Sequence, residues 1–287
     1  MSDVILIFLL CFLATTKVTL QGRFAKTSGN SSFGALTFNT VIFASAAVLF
    51  ARWLIGCHAS TALFGAVFGV LTVLFQLFYV MAMSGGNVSL TVMFVNFSMV
   101  IPIAFSVIYG KEHITPIKAA GIALIVLALA LTFKKGKGGE VNHKRWLLTA
   151  LAAALINGGL SICQKLYGMT VYSSEGSGFV AWAYLIAFLL SFAVCFLRGV
   201  SNKENRFSVS PRAALLGVSA GAVLAVFQWL NTYAVSAIDA AVIFPSYYGG
   251  SMILSAMSGV LILKDKLTKR QICAILIGIV AIVILNI

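Results

Sequence analysis

Long apolar segments, separated by short polar or basic connections, run along the whole chain. Each has about the 17–25 residues that a helix needs to cross a bilayer, and none alternates in polarity as barrel strands do. The pattern predicts ten transmembrane helices, at 4–21, 33–53, 61–83, 88–109, 116–133, 147–167, 178–197, 213–234, 240–262 and 270–287.

One of these segments occurs twice. Residues 63–84 align without gaps on residues 215–236, and seven of the 22 positions are identical. Chance would give roughly two identities in so apolar a composition, so the alignment indicates an internal duplication. Each copy carries Gly-x-x-x-Gly, a small-residue pattern that lets helix backbones approach closely in lipid.

In both copies a glutamine follows the second glycine by seven residues, which is about two helical turns. Residues spaced by three and four share one helix face, so glycines and polar side chains form a stripe in each copy. A polar stripe repeated in both halves predicts a wall of a central cavity. The two stripes consist of Gly65, Gly69, Thr72, Gln76 and Tyr79 in the first copy and of Gly217, Gly221, Gln228 and Asn231 in the second.

The basic, glycine-rich stretch 134–146 divides the chain into a first repeat, 1–133, and a second, 147–287. Five helices per repeat is an odd number, so the second repeat must enter the membrane in the opposite orientation. The predicted fold is therefore an all-α integral membrane protein with ten transmembrane helices in two inverted five-helix repeats. Many secondary transporters have this architecture, with the substrate site near the midplane.

Composition excludes a soluble domain. The chain is 61% hydrophobic and 9% charged, with a mean hydropathy of +1.04, whereas soluble proteins are nearer a quarter charged. The net charge of +13 does not indicate nucleic-acid binding, because the basic residues lie in short loops. Sixteen of the 20 Lys and Arg residues flank the odd-numbered loops. This bias predicts a plasma-membrane protein with odd loops cytoplasmic and both termini outside.

The ends of the two halves carry a second paired pattern. Gly110, Glu112 and Thr115 precede Gly121 and an apolar helix, and Asp265 and Thr268 precede a similar one. With Pro102 in the preceding helix, these endings resemble the EamA family of the drug/metabolite transporter superfamily. The resemblance implies a ten-helix transporter for small molecules.

The second half departs from the family pattern. Asp265 stands for the glutamate, Ser255 occupies the proline position, and the Trp-Gly common in the family's first helix is absent. Family members are more often described with both termini cytoplasmic, whereas the charge count predicts the opposite. Glu112 and Asp265 also have a local explanation, because an acid just before a helix favours its dipole.

Buried amides are the leading candidates for substrate contacts. Gln76 and Gln228 must each hydrogen-bond, because an unpartnered buried amide is costly, and the partner is either another helix or a substrate. Asn96, in the middle of its span, has the same two interpretations. Asn231 lies on the Gln228 stripe.

Aromatic candidates lie beside the amides. Tyr247 and Tyr248 follow Pro245, which either opens the helix at a cavity wall or makes a simple packing kink. Tyr79 and Trp229 flank the glutamines and offer aromatic surface.

Lys17 is the most unusual charge, thirteen residues into the first helix. It either extends to the cytoplasmic edge or attracts an anionic group of the substrate.

The sequence lacks the residues that several other functions require. No Asp or Glu lies in the middle of a predicted span, where proton-coupled export of cations would need one, although Asp239 lies beside the ninth span. No cofactor, metal site or catalytic pair is visible, so an enzyme is not predicted. We expect a transporter of a small polar or zwitterionic metabolite, such as an amino acid, working by alternating access. A monomer is geometrically sufficient, and a dimer is compatible with the sequence.

Three alternatives remain open at this stage. A membrane-embedded enzyme would need a polar catalytic pair that the sequence does not reveal, and product formation by the purified protein in detergent would show it. An exporter of cationic or lipophilic drug-like compounds would use the aromatic residues and Asp239. A non-transporting membrane subunit or sensor would show no flux and would hold a stable partner.

Overall fold

The computed structural model describes residues 3–27, 32–85, 91–92, 95–109, 115–132, 143–201, 210–262 and 269–285. Within these residues all regular secondary structure is helical. In these ranges ten α-helices have defined ends, 3-10 turns join some of them, and residues 91–92 and 95–96 are helical as well. The ten helices are α1 (Asp3–Thr27), α2 (Ser32–Phe50), α3 (Ala59–Gly85), α4 (Val100–Ile108), α5 (Pro116–Thr132), α6 (His143–Gly168), α7 (Gly176–Ser201), α8 (Pro211–Ala237), α9 (Ala240–Leu261) and α10 (Lys269–Leu285).

Most helices lie where the hydropathy pattern predicts spans, with ends that differ by a few residues. The exception is α4, which covers only the second half of the predicted span 88–109. In the described ranges, seven helices are long and apolar enough to cross a bilayer. The other three, α4, α5 and α10, have 9, 17 and 17 residues. Within the described residues the prediction of an all-helical membrane protein is confirmed. The glutamate and aspartate turns at 110–114 and 263–268, and most of the connection 134–146, lie outside the described residues.

Apolar side chains cover the outside of the helical bundle. Phe8 is 66% exposed, Leu63 is 66% exposed and its repeat equivalent Leu215 is 70% exposed. Amide side chains such as Gln76 and Gln228 are buried instead. This arrangement suits a bilayer, where lipid replaces water around the protein and polar groups must be satisfied inside.

Side chains fix the starts of two helices. The Ser210 hydroxyl accepts a hydrogen bond from the Ala213 N–H (3.3 Å), as a helix N-cap does, and begins α8. At α3 the cap comes from a distant loop, because Glu175 Oε2 accepts from the His58 N–H (2.8 Å) and the Thr61 hydroxyl (2.6 Å). The α6–α7 connection is thereby tied to the start of α3.

The first Gly-x-x-x-Gly pair packs against α7. A Cβ on Gly65 would lie 2.6 Å from the carbonyl oxygen of Phe179, and one on Gly69 would overlap the carbonyl oxygen of Ala183. Both obstacles are backbone atoms, which cannot rotate away as a side chain can. The close approach predicted for this pair therefore takes place against the seventh helix.

The second pair packs in the same way against α2. A Cβ on Gly217 would lie 2.8 Å from Val41 Cγ1, and one on Gly221 would overlap the carbonyl oxygen of Ile42. Each glycine-bearing helix therefore packs on a helix from the other half of the chain.

The two glycine contacts also relate α2 to α7. Phe38 lies beside Gly217 and Phe179 lies beside Gly65, while the Ile42 and Ala183 carbonyls face the second glycines. Phe38 and Phe179 differ by 141 in number, as do Ile42 and Ala183. The remaining packing follows the same correspondence, because α1 lies against α8 and α9, as α6 lies against α3 and α4.

Candidate functional site

A cavity of about 100 Å³ lies among the helices that the two halves contribute. It has room for several water molecules, since one water needs about 10–15 Å³ of such space. Polar side chains and aromatic rings share its lining. The polar ones are Lys17, Thr72, Gln76, Asn96, Asn157, Ser161, Gln164, Gln228, Asn231, Ser251 and Ser255, and the aromatic ones are Phe43, Phe68, Phe75, Tyr79, Tyr184, Phe227, Phe244, Tyr247 and Tyr248.

The two repeated glutamines both line this cavity, but their hydrogen bonding differs. Gln76 Nε2 donates to Asn39 Oδ1 on α2 at 3.4 Å, a long contact. The Nε2 of Gln228 is buried and has no hydrogen-bond partner. An unpartnered buried donor costs about 1–3 kcal/mol, so Gln228 is the amide that gains most from a ligand.

A second amide pair joins α6 to α8. Asn231 Nδ2 donates to Gln164 Oε1 (3.1 Å), and Gln164 Nε2 donates to the Thr232 hydroxyl (3.1 Å). These hydrogen bonds fix one wall of the cavity and give both ends of the Gln164 amide a partner. Sequence reasoning missed Gln164, although it lies seven residues after Asn157 and therefore on the same helix face.

Tyr248 is held by two residues of α6, by Asn96 and by a serine of its own helix, α9. Its hydroxyl accepts from Asn157 Nδ2 (3.0 Å) and lies 3.0 Å from the Ser161 hydroxyl. Its backbone carbonyl accepts from Asn96 Nδ2 at 3.2 Å and from the Ser251 hydroxyl at 3.0 Å. This network makes Tyr248 a rigid part of the wall.

Pro245 lies within α9, and the helix continues through it. The carbonyls that follow are covered by neighbouring helices. The Cys11 thiol is 3.6 Å from the Tyr247 carbonyl, and Gly250 leaves room for that thiol because a Cβ there would lie 2.6 Å from its sulfur. The backbone carbonyls of Tyr247 and Tyr248 are therefore covered by Cys11 of α1 and by Asn96.

Lys17 points into the cavity. Its Nζ lies 5.8 Å from the centre of the Phe227 ring, a cation–π contact. The carboxylates in the described residues are Asp3, Glu175 and Asp239, and none of them lines the cavity. Of the two interpretations of Lys17, this placement favours attraction of an anionic group over extension to the membrane edge.

Eight of the nine predicted site residues meet at this cavity. They are Lys17, Gln76, Tyr79, Asn96, Gln228, Asn231, Tyr247 and Tyr248. The structure does not bring Trp229 there. One residue beyond Gln228, it lies about 100° further around α8 and is 45% exposed on the outside.

The aromatic half of the lining was largely missed. Tyr184 on α7 and Phe75 with its repeat equivalent Phe227 line the cavity beside the predicted residues. The Phe75/Phe227 identity was the available signal, since it recurs in both copies. Tyr184 has no such signal, because it belongs to a helix outside the recognisable repeat.

Comparison with known proteins gives one family and one fold. The model described as the EamA-like transporter family matches residues 144–287, half of the chain, from α6 onward. A crystal structure described only as that of a protein is similar with a TM-score of 0.69 and 17% identity, covering 99% of this chain and 96% of the other. At that identity the similarity shows the fold alone. Among curated proteins there is no match.

Proposed function

The chain belongs to the EamA-like transporter family, and on that premise we propose that it carries a small polar or zwitterionic metabolite across the plasma membrane by alternating access. The observation that carries this proposal is a cavity to which each copy of the duplicated segment contributes a buried glutamine, Gln76 and Gln228. A solute that leaves water needs replacement hydrogen bonds, and these amides can supply them.

The proposal includes two inverted five-helix repeats. The reciprocal glycine contacts support it, because α3 packs on α7 as α8 packs on α2. A second observation supports it independently. Asn96 and Tyr248 differ by 152 in number, which is the offset of the duplication, and they are in direct contact. Equivalent residues touch each other where a two-fold axis passes between the copies.

Alternating access then has a specific physical form. The two repeats would rock about the Asn96–Tyr248 contact and open the cavity to one side of the membrane at a time. The contacts that the two Gly-x-x-x-Gly pairs make with α7 and α2, here called the glycine seams, suit such a motion. Flat helix surfaces in close contact can slide without unpacking large side chains. Odd loops in the cytoplasm and both termini outside remain part of the proposal and rest on the distribution of Lys and Arg.

An exporter of cationic compounds is less consistent with the site. Asp239, the acid it would use, is exposed at the start of α9 and does not line the cavity. The charge that does line the cavity is Lys17, which repels cations. The aromatic rings would accept a lipophilic body, so that part of the alternative is compatible with the proposal.

A thermal-shift screen of the purified protein tests the proposal. Amino acids, nucleobases, sugars, organic anions and quaternary amines are the compounds to compare, since a ligand of the native state raises stability by mass action. A hit that is lost in Gln76→Ala and Gln228→Ala, and kept in Trp229→Ala, would support the cavity as the binding site. A hit that survives both glutamine substitutions would contradict it.

A further inference from the structure

The cavity combines one positive charge with hydrogen-bond donors that lack acceptors. From this we infer that the substrate presents a carboxylate to Lys17, Gln228 and Tyr184, and that the protein transports small organic acids with an apolar or aromatic body. This inference rests on the proposed transport function and deepens it by naming the chemical class of the substrate. Three observations, each independent of the others, carry it.

The first observation is the uncompensated charge of Lys17. Asp3, on the same helix, is fourteen residues away, or about 20 Å along the axis. Glu175 is engaged with the start of α3, and Asp239 is exposed on another helix. A lysine inside a membrane protein faces water, a partner charge or a substrate. In the described part of the chain Lys17 has only the Phe227 ring, so a substrate anion is the missing partner.

The second observation is the broken symmetry around Gln228. Gln76 donates to Asn39 on α2. The relation between α2 and α7, in which residue numbers differ by 141, places Val180 at the position that corresponds to Asn39. A valine side chain has no hydrogen-bond acceptor, and the Nε2 of Gln228 is buried without a partner. One of the two repeated glutamines is therefore satisfied by the protein, and the other presents a donor to the cavity.

The third observation is the Tyr184 hydroxyl. Tyr184 is 1% exposed, lines the cavity and has no partner for its hydroxyl group. A buried hydroxyl without an acceptor is rare in folded proteins. Phe43 lies beside its ring, with the centroids 6.3 Å apart, so the ring is packed while its polar end remains unused.

The kind of ligand follows from this inventory. The ammonium of Lys17 and the Nε2 of Gln228 can only donate, and the Tyr184 hydroxyl can donate. A carboxylate accepts several hydrogen bonds and is attracted by a positive charge, whereas an ammonium group could pair with none of the nitrogen donors. The nine aromatic rings of the lining provide a surface for the rest of the molecule.

Matched triplets of compounds test the inference. Each triplet has one body with a carboxylate, with both a carboxylate and an amine, or with an amine alone: 3-phenylpropionate, phenylalanine and phenethylamine, with indolyl and isobutyl counterparts. Thermal shift on the full-length protein in detergent measures binding. We expect the acid and the amino acid of at least one triplet to stabilise the protein, and the amine to have no effect.

Substitutions with matched controls then test whether the Lys17 ammonium and the Tyr184 hydroxyl bind the carboxylate. Lys17→Gln should weaken binding of the stabilising acid at least tenfold, while Lys17→Arg should keep it within a few-fold. Lys165→Gln removes the same charge from α6 outside the lining and should leave binding unchanged. Tyr184→Phe should weaken binding three- to tenfold, and Tyr233→Phe, which removes an exposed hydroxyl on α8, should not.

Several results would overturn the inference. They are a series in which no acid stabilises the protein, an amine that binds as tightly as its acid, or a Lys17→Gln protein that binds the acid as the parent does. Flux in proteoliposomes separates this failure from that of the proposed function. Stabilisation by acids that depends on Lys17, without flux, would contradict transport and uphold carboxylate recognition. Flux of a neutral or cationic solute that does not depend on Lys17 would uphold transport and contradict carboxylate recognition.

Discussion

Replacing Gly221 with alanine is expected to destabilise the protein, because the new methyl group has no space at the α8–α2 contact. It would overlap the carbonyl oxygen of Ile42 and lie 2.7 Å from Ser45 Cβ. An ordinary carbon contact is about 3.5–4.0 Å, so the two helices must separate by roughly an ångström. Overpacking of this kind costs about 1–3 kcal/mol.

A helix-propensity term opposes this strain. Alanine is better than glycine in a helix interior by about 0.5–1 kcal/mol, so the net loss at Gly221 is expected to be about 1–2 kcal/mol. Gly159 on α6 isolates that term, because nothing lies within 4 Å of its added Cβ. Gly159→Ala should therefore leave stability unchanged or raise it by up to about 1 kcal/mol.

Unfolding of the purified proteins in mild detergent, by heat or by titration with a denaturing detergent, provides the comparison. The expected order of stability is Gly159→Ala, then the parent protein, then Gly221→Ala. Gly69→Ala, which meets the carbonyl of Ala183, should behave as Gly221→Ala does. Equal stability of the Gly221 and Gly159 variants would refute the reasoning, since it would mean that the α8–α2 contact is not closely packed.

Two further predictions concern the cavity wall and the orientation. Tyr248→Phe removes the hydroxyl that Asn157 and Ser161 share and should destabilise the protein by about 1–3 kcal/mol, measured by the same unfolding assay; an unchanged stability would show that the network is not formed. In a cysteine-free background, Gly138→Cys should be labelled by an impermeant maleimide only after the cells are opened, and labelling of intact cells would contradict a cytoplasmic position for the 134–146 connection.

Much of the helical framework follows from hydropathy alone. In the described residues, the apolar segments mark the seven helices that are long enough to span, because a bilayer admits only backbones that satisfy their own hydrogen bonds. The duplication added more, since it identified the glycine seams and placed Gln76 and Gln228 together. Which helix each seam contacts was not predictable, because Gly-x-x-x-Gly specifies close approach without naming the partner.

The cavity lining was predictable along the helices that carry the repeated pattern and at residues that are unusual in a span, such as Lys17 and Asn96. Gln164 and Tyr184 were missed because their role depends on how α6 and α7 are rotated toward the centre, and a single apolar helix carries a weak signal of its rotation. Trp229 is the opposite case, a residue that was predicted at the cavity and lies elsewhere. Nearness to Gln228 along the chain suggested the cavity, but one residue of helix turns the side chain toward the outside.

Uptake into proteoliposomes tests the central claim most directly. The solute is the best stabilising compound from the thermal-shift screen, and the proteins are the parent, Gln228→Ala and Trp229→Ala, reconstituted in equal amounts. We expect the parent and Trp229→Ala to transport at similar rates and Gln228→Ala to fall to the rate of empty liposomes. Equal uptake by all three proteins would contradict a substrate path through this cavity.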